Sequence, residues 1–221
     1  LLMGGQACVF YGAAQFSKDI DLALCADAVN YSNLFSALSE LKAERVAVPP
    51  FDPAALERGH AIHFRCYALG VEGLRVDVMT RLRGVAAFQI LWERRTVLED
   101  DAGHLYDLMA LEDLVQAKKT QRDKDWPMIE ALVAVHYHEF KDEPLPGRRR
   151  FWVSECRTPE LLVEICARFP DEVFKQMAAR PLLQWAAEGP SEALRAALDV
   201  ELRAEQARDR VYWEPLRREL E

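Results

Sequence analysis

Residues 1–24 read LLMGGQACVFYGAAQFSKDIDLAL, and their order decides the fold. Leu1-Leu2-Met3 is apolar and reads as the end of a strand that begins upstream of residue 1. Gly4-Gly5 follows, then the helix-compatible stretch Gln6–Ala14. Ile20–Leu24 is a second short apolar strand. Glycines between a strand and a helix let a phosphate approach the backbone, where the helix start offers free N–H groups. Asp19 and Asp21 flank Ile20, and residues i and i+2 of a strand project to one face. Two carboxylates side by side repel each other unless they share a cation. Hard divalent cations such as Mg²⁺ take oxygen ligands of this kind.

Downstream, Tyr31–Ala43 repeats Leu34, Leu38 and Leu41 at a helical period, and Pro49-Pro50 closes that unit. Ala61–Leu69 alternates, with Ile62, Phe64, Cys66 and Ala68 on one side and His63, Arg65 and Tyr67 on the other. A four-residue connection from Gly70 to Gly73 leads into Leu74–Met79, which also alternates, so a β-hairpin is expected. Leu74, Val76 and Val78 share one face of its second strand; Arg75, Asp77 and Met79 share the other. Asp77 is thus a third carboxylate held on a strand and pointing away from the main core. Arg94–Leu98 and His104–Met109, around Asp100-Asp101-Ala102-Gly103, suggest another pair of strands.

From Leu111 the pattern turns helical. Leu111, Leu114, Val115 and Lys118 are placed on one helix. Asp123 or Asp125 is expected to cap the next, with Pro127 in its first turn and an end near Phe140. Residues 142–150, with Pro144, Pro146, Gly147 and Arg148-Arg149-Arg150, read as a linker. Residues 151–221 read as all helix, with starts at Thr158-Pro159, Pro170-Asp171 and Pro190-Ser191. Trp152, Trp185, Tyr212 and Trp213 are expected in a core or an interface. The expected class is α+β: a small mixed sheet flanked by helices over residues 1–141, followed by an all-helical C-terminal region.

Bulk composition narrows the function. The 221 residues are 50% apolar and 29% charged, ordinary for a globular chain. No apolar run approaches the roughly 20 residues that span a bilayer, so no membrane role and a cytoplasmic location are expected. The five cysteines show no C-x-x-C spacing and read as buried free thiols. The histidines form no H-E-x-x-H. Net charge is −8, without the broad basic footprint of a nucleic-acid binder.

The segment G-G-Q-A…G-x-x-Q-x-S-x-D-I-D-L resembles the nucleotidyltransferase superfamily that includes DNA polymerase beta and kanamycin nucleotidyltransferase. Within it the chain is similar to the AbiEii-like and minimal nucleotidyltransferases, many of them associated with toxin–antitoxin systems. The resemblance covers about residues 1–140. It implies that Gly4 and Gly5, with Ser17 nearby, face a nucleoside triphosphate such as ATP. It also implies that Asp19, Asp21 and Asp77 bind Mg²⁺ or Mn²⁺, with Asp77 as the base. Lys118 is implied as a triphosphate contact and Asp125 as its orienting partner. Gln15 stands where relatives often carry Arg, and Ser17 where they often carry Thr.

Two functions follow from this reading. The first is an enzyme that moves a nucleoside monophosphate from an NTP to a hydroxyl on RNA, protein or a small molecule. The acidic charge argues against a tRNA acceptor. The second is a regulatory, antitoxin-like binding protein with weak or no catalysis. A partner toxin or antitoxin protein is expected in either case.

Overall fold

The computed structural model describes residues 1–46, 49 and 51–221. The chain forms two compact units, Leu1–Ala117 with Val211–Glu221, and Lys118–Arg210. The class is α+β, as expected.

The first unit is built on a sheet of seven strands among the described residues. These are β1 (Leu2–Met3), β2 (Asp19–Ala23), β3 (Glu44–Arg45), β4 (Ile62–Arg65), β5 (Arg75–Met79), β6 (Thr96–Glu99) and β7 (Leu105–Leu108), in the order β3-β4-β5-β2-β1-β7-β6. The sheet is mixed. β2 runs parallel to β5 and β1 parallel to β7; the other neighbours are antiparallel.

Alternation along the central strands separates a core from a site. Ile20 and Leu22 of β2, Ile62 and Phe64 of β4, and Val76 and Val78 of β5 join one apolar cluster. Tyr31, Leu34 and Leu38 of α2 (Ala28–Glu40) and Leu56 of α3 (Pro53–Arg58) complete it. Ile62 and Val78 are fully buried, each a gain of roughly 1.5–3 kcal/mol. A one-residue slip of β5 would turn Arg75 and Asp77 into this cluster, so the same packing that stabilises the unit fixes where its charges point.

The local starts and stops have identifiable causes. The Asp27 carboxylate accepts from the Asn30 N–H and caps α2. Asp52 caps α3 the same way through Ala54, Pro53 sits in its first turn, and Gly59 ends it in a left-handed conformation.

Several expectations shift. Helix α1 spans Gly4–Phe10 rather than Gln6–Ala14: it begins on the glycines themselves and stops where Gly12 turns to positive φ. The β4–β5 connection is longer than four residues, because the ladder ends at Arg65↔Arg75 and tight turns fill the rest. Pro50 lies outside the described residues. Elements not expected from sequence are β3, α3 and α4 (Phe88–Glu93).

Lys118 is not on a helix with Leu111: α5 ends at Ala117. In the second unit, α6 (Trp126–Phe140) carries Pro127 in its first turn as expected. Residues 142–150 lie inside this unit, and Pro146 opens helix α7 (Pro146–Glu155) instead of breaking one. Proline is tolerated there because the first turn leaves its N–H groups unbonded in any case.

Helices α8 (Pro159–Arg168), α9 (Pro170–Gln176) and α10 (Leu183–Glu188) follow, then α11 (Glu192–Arg218), whose last turns belong to the first unit. Trp152 is fully buried, stands edge-on to Tyr137, and donates its indole N–H to Nδ1 of His136 at 2.8 Å. That bond fixes the neutral His136 tautomer with its proton on Nε2. Among the described residues, no helix is long and apolar enough to cross a membrane.

Candidate active site

The face of the central strands opposite the core is charged. Parallel pairing of β2 and β5 sets Asp21 beside Asp77 and Asp19 beside Arg75. Antiparallel pairing of β5 and β4 sets His63 beside Asp77 and Arg65 beside Arg75. Paired residues project to the same side of a sheet. Two rows result: His63, Asp77, Asp21 in one, and Arg65, Arg75, Asp19 in the next. Carboxylates sit toward β2 and cations toward β4, with β5 carrying one of each.

The glycine turn is shaped around this face. Gly4 has φ +64°, and a Cβ there would lie 1.8 Å from Asp21 Oδ2. A Cβ on Gly5 would lie 2.6 Å from the Ser17 hydroxyl oxygen. The Gly5 N–H points at Asp21 Oδ2 at 3.3 Å, and Ser17 donates to the Asp19 carbonyl at 2.9 Å. Gly4 is therefore required by Asp21, whatever ligand approaches, whereas a side chain at Gly5 would displace the Ser17 hydroxyl from its bond to the Asp19 carbonyl. Gly4, Gly5, Ser17, Asp19, Asp21 and Asp77 all belong to one compact region of the first unit.

Asp77 is 9% exposed. Its Oδ1 accepts from Arg75 Nε at 2.8 Å and from His63 Nδ1 at 2.8 Å. With the proton on Nδ1, His63 donates to Asp77. Arg75 Nη2, 3.1 Å from that nitrogen, is then a neighbour and not its donor. Burial pushes the Asp77 carboxyl upward, but the hydrogen bonds and charges of His63 and Arg75 outweigh it and hold the group below the usual carboxylate range. Arg75 is pushed the other way, chiefly by its bond to Asp77 and also by the charges of Asp19 and Asp21.

His63 and Arg75 are partners of Asp77 that no motif in the sequence marks. Strand parity had put both on the Asp77 side, so the hairpin register held the missing signal. Among the described residues, no three His, Cys, Asp or Glu side chains converge into a formed metal-binding cluster.

Lys118 and Asp125 lie in the second unit and pair with each other there. They are 6% and 2% exposed, and Lys118 Nζ is 3.4 Å from Asp125 Oδ1. Asp125 stands at the start of α6 but does not cap it. Its Oδ2 instead accepts from the Thr120 hydroxyl at 2.5 Å and from Arg122 Nε at 2.7 Å. Burial raises the Asp125 carboxyl, while Lys118, Thr120 and Arg122 lower it by more, leaving it below the usual range. Burial and complete pairing explain why this group does not serve as a helix cap.

A groove of about 640 Å³ lies among the segments that follow β2 and β5, lined by Cys25, Asp27, Asn30, Asn33, Phe88 and Trp92 among others. No protein-family model matches the chain, and no curated protein matches it.

Proposed function

We propose that the protein is a Mg²⁺-dependent nucleotidyltransferase. The observation carrying this reading is the register Asp21↔Asp77: it sets the third carboxylate beside the D-x-D pair, on one face, against the Gly-Gly turn. The donor set fits a hard divalent cation, since all three groups are carboxylates on adjoining strands. Asp77 Oδ1 is taken by Arg75 and His63, so Oδ2 is the oxygen assigned to the cation. A bound Mg²⁺ would supply charge neutralisation and a lowered pKa for the attacking hydroxyl.

The chain's own residues do the rest. Asp19 and Asp21 fix where the cation and triphosphate sit, and the Gly4-Gly5 turn lets the phosphates lie close to the backbone. The acceptor oxygen bonds to the α-phosphorus, the bond from that phosphorus to the bridging oxygen breaks, and pyrophosphate leaves. The hydroxyl proton passes to Asp77, the carboxylate beside Asp21 on the next strand.

The test is incubation with each labelled NTP, Mg²⁺ or Mn²⁺, and a cell lysate, beside an Asp19→Ala/Asp21→Ala variant. Label transfer in the wild type alone is expected. No transfer and no Mg²⁺-dependent NTP binding in the wild type would sink the enzymatic reading. A second reading, an antitoxin-like binding protein with little catalysis, draws on the neutralisation of Asp77 by Arg75 and His63.

A further inference from the structure

The charged face carries more than an acidic site. Arg75 is in register with Asp19, and its side chain is 42% exposed, so the guanidinium is reachable from solvent. Arg65 is directly opposite Arg75 on β4 and is exposed. Two arginines facing each other across a strand pair repel and destabilise the sheet. In the ligand-free protein the carboxylates of the same face partly offset it: Asp77 accepts from Arg75, and Asp19 is in register with Arg75 on β2. An anion lying across both arginines would relieve the rest, and guanidinium forks match phosphate oxygens. The face is therefore bipolar, with carboxylates for a cation beside arginines for an anion. A cation–triphosphate pair has the same polarity.

Resting on the nucleotidyltransferase reading, we propose that Arg75, with Arg65 beside it, binds the β- and γ-phosphates of the nucleotide. In the ligand-free protein Arg75 acts as a resident counter-charge on Asp77. On arrival of the metal–nucleotide it exchanges the Asp77 carboxylate for the phosphates, and Asp77 turns to the cation. This exchange separates two effects of one residue. Arg75 competes with the metal when no nucleotide is present, and it holds the nucleotide once bound.

The experiment measures calorimetric affinities of wild type and Arg75→Met for Mn²⁺ alone, for each NTP with Mg²⁺, and for the matching NMP. Arg75→Met is expected to bind NTP about 10-fold or more weakly, the loss of one charge-assisted phosphate contact. It is expected to bind NMP within about 2-fold of wild type and Mn²⁺ alone several-fold more tightly, roughly the effect of removing one competing charge. Arg75→Lys should fall between the two, and it serves as the test variant if Arg75→Met unfolds.

Equal losses for NTP and NMP, no loss for either, or weaker Mn²⁺ binding would overturn the assignment while leaving the site intact. Wild-type protein that binds no NTP would remove the nucleotidyltransferase reading, and this inference with it.

Discussion

Replacing Gly4 with Ala tests the geometry at the centre of the site. The new Cβ would lie 1.8 Å from Asp21 Oδ2, 2.4 Å from its Cγ and 2.6 Å from its Cβ. Rotation of the Asp21 side chain cannot clear the last contact, because Asp21 Cβ is fixed by the β2 backbone. Two penalties add. Holding Ala at φ +64° costs about 1–2 kcal/mol, and displacing Asp21 costs about 1–3 kcal/mol by analogy with overpacking. The total is about 2–5 kcal/mol. For a chain of this size that lowers Tm by roughly 4–20 °C.

Gly70→Ala is the matched control. Its φ is +88° and nothing lies within 4 Å of the added methyl, so only the backbone penalty of about 1–2 kcal/mol applies. Urea titrations of both variants, each repeated in an Asp21→Ala background, isolate the contact as a coupling energy. The Gly4→Ala penalty should fall once Asp21 is Ala, because the contacts to Cγ and Oδ2 go, but stay above the Gly70→Ala level, because alanine at 21 keeps a Cβ 2.6 Å away. Equal penalties at the two glycines, or a Gly4→Ala penalty unchanged in the Asp21→Ala background, would refute the claim that Gly4 is required by the carboxylate.

Asp125→Asn strands a buried Lys118 and should destabilise the second unit by about 3–5 kcal/mol, with much of the loss recovered by adding Lys118→Met; urea titration of the three variants checks it. The Asp125 carboxyl is held below its unfolded value, so its stabilisation is complete above roughly pH 4 and is lost as pH falls through the folded value. The stability gap between wild type and Asp125→Asn should accordingly shrink only on acidification below that point. Burial pushes the Cys156 thiol up to about 12 and the Cys166 thiol to about 11, and Cys8 and Cys66 are also buried. Cys25, the half-exposed one, should be the first thiol modified by a thiol reagent in native protein, with the other four reacting only on unfolding; a Cys25→Ser variant that still shows a fast native thiol would contradict this.

What was legible in the sequence was what short-range periodicity encodes. Alternation in Ile62–Arg65 and Arg75–Met79 sorted core residues from Asp77, and the spacing of Asp19 and Asp21 put them on one face. The parallel pairing of β2 with β5 joins segments far apart in the chain, and nothing local specifies it. It could be expected only through the resemblance, yet it makes Asp21 and Asp77 neighbours.

The partners of Asp77 were hidden for a related reason. Arg75 and His63 had been assigned the correct side, but a hydrogen bond needs register as well as side. Two residues, Glu44-Arg45, are too few for alternation to mark β3. Helix α3 did carry a readable signal, Asp52-Pro53 at its start and Gly59 at its end, that a search for longer apolar periods passes over. Lys118 was placed one position too far along a helix, because the apolar period of α5 runs to its last turn and gives no mark of where the turn unwinds.

The central claim is that Asp19, Asp21 and Asp77 form one cation-dependent nucleotide site. Its most direct test is equilibrium binding of each NTP to the wild type, with Mg²⁺ and with EDTA, beside Asp19→Ala/Asp21→Ala and Asp77→Ala variants that retain the native far-UV spectrum. The account predicts NTP binding by the wild type that requires Mg²⁺ and is lost in both variants. NTP binding that persists in EDTA, or that survives removal of the carboxylates, would contradict it.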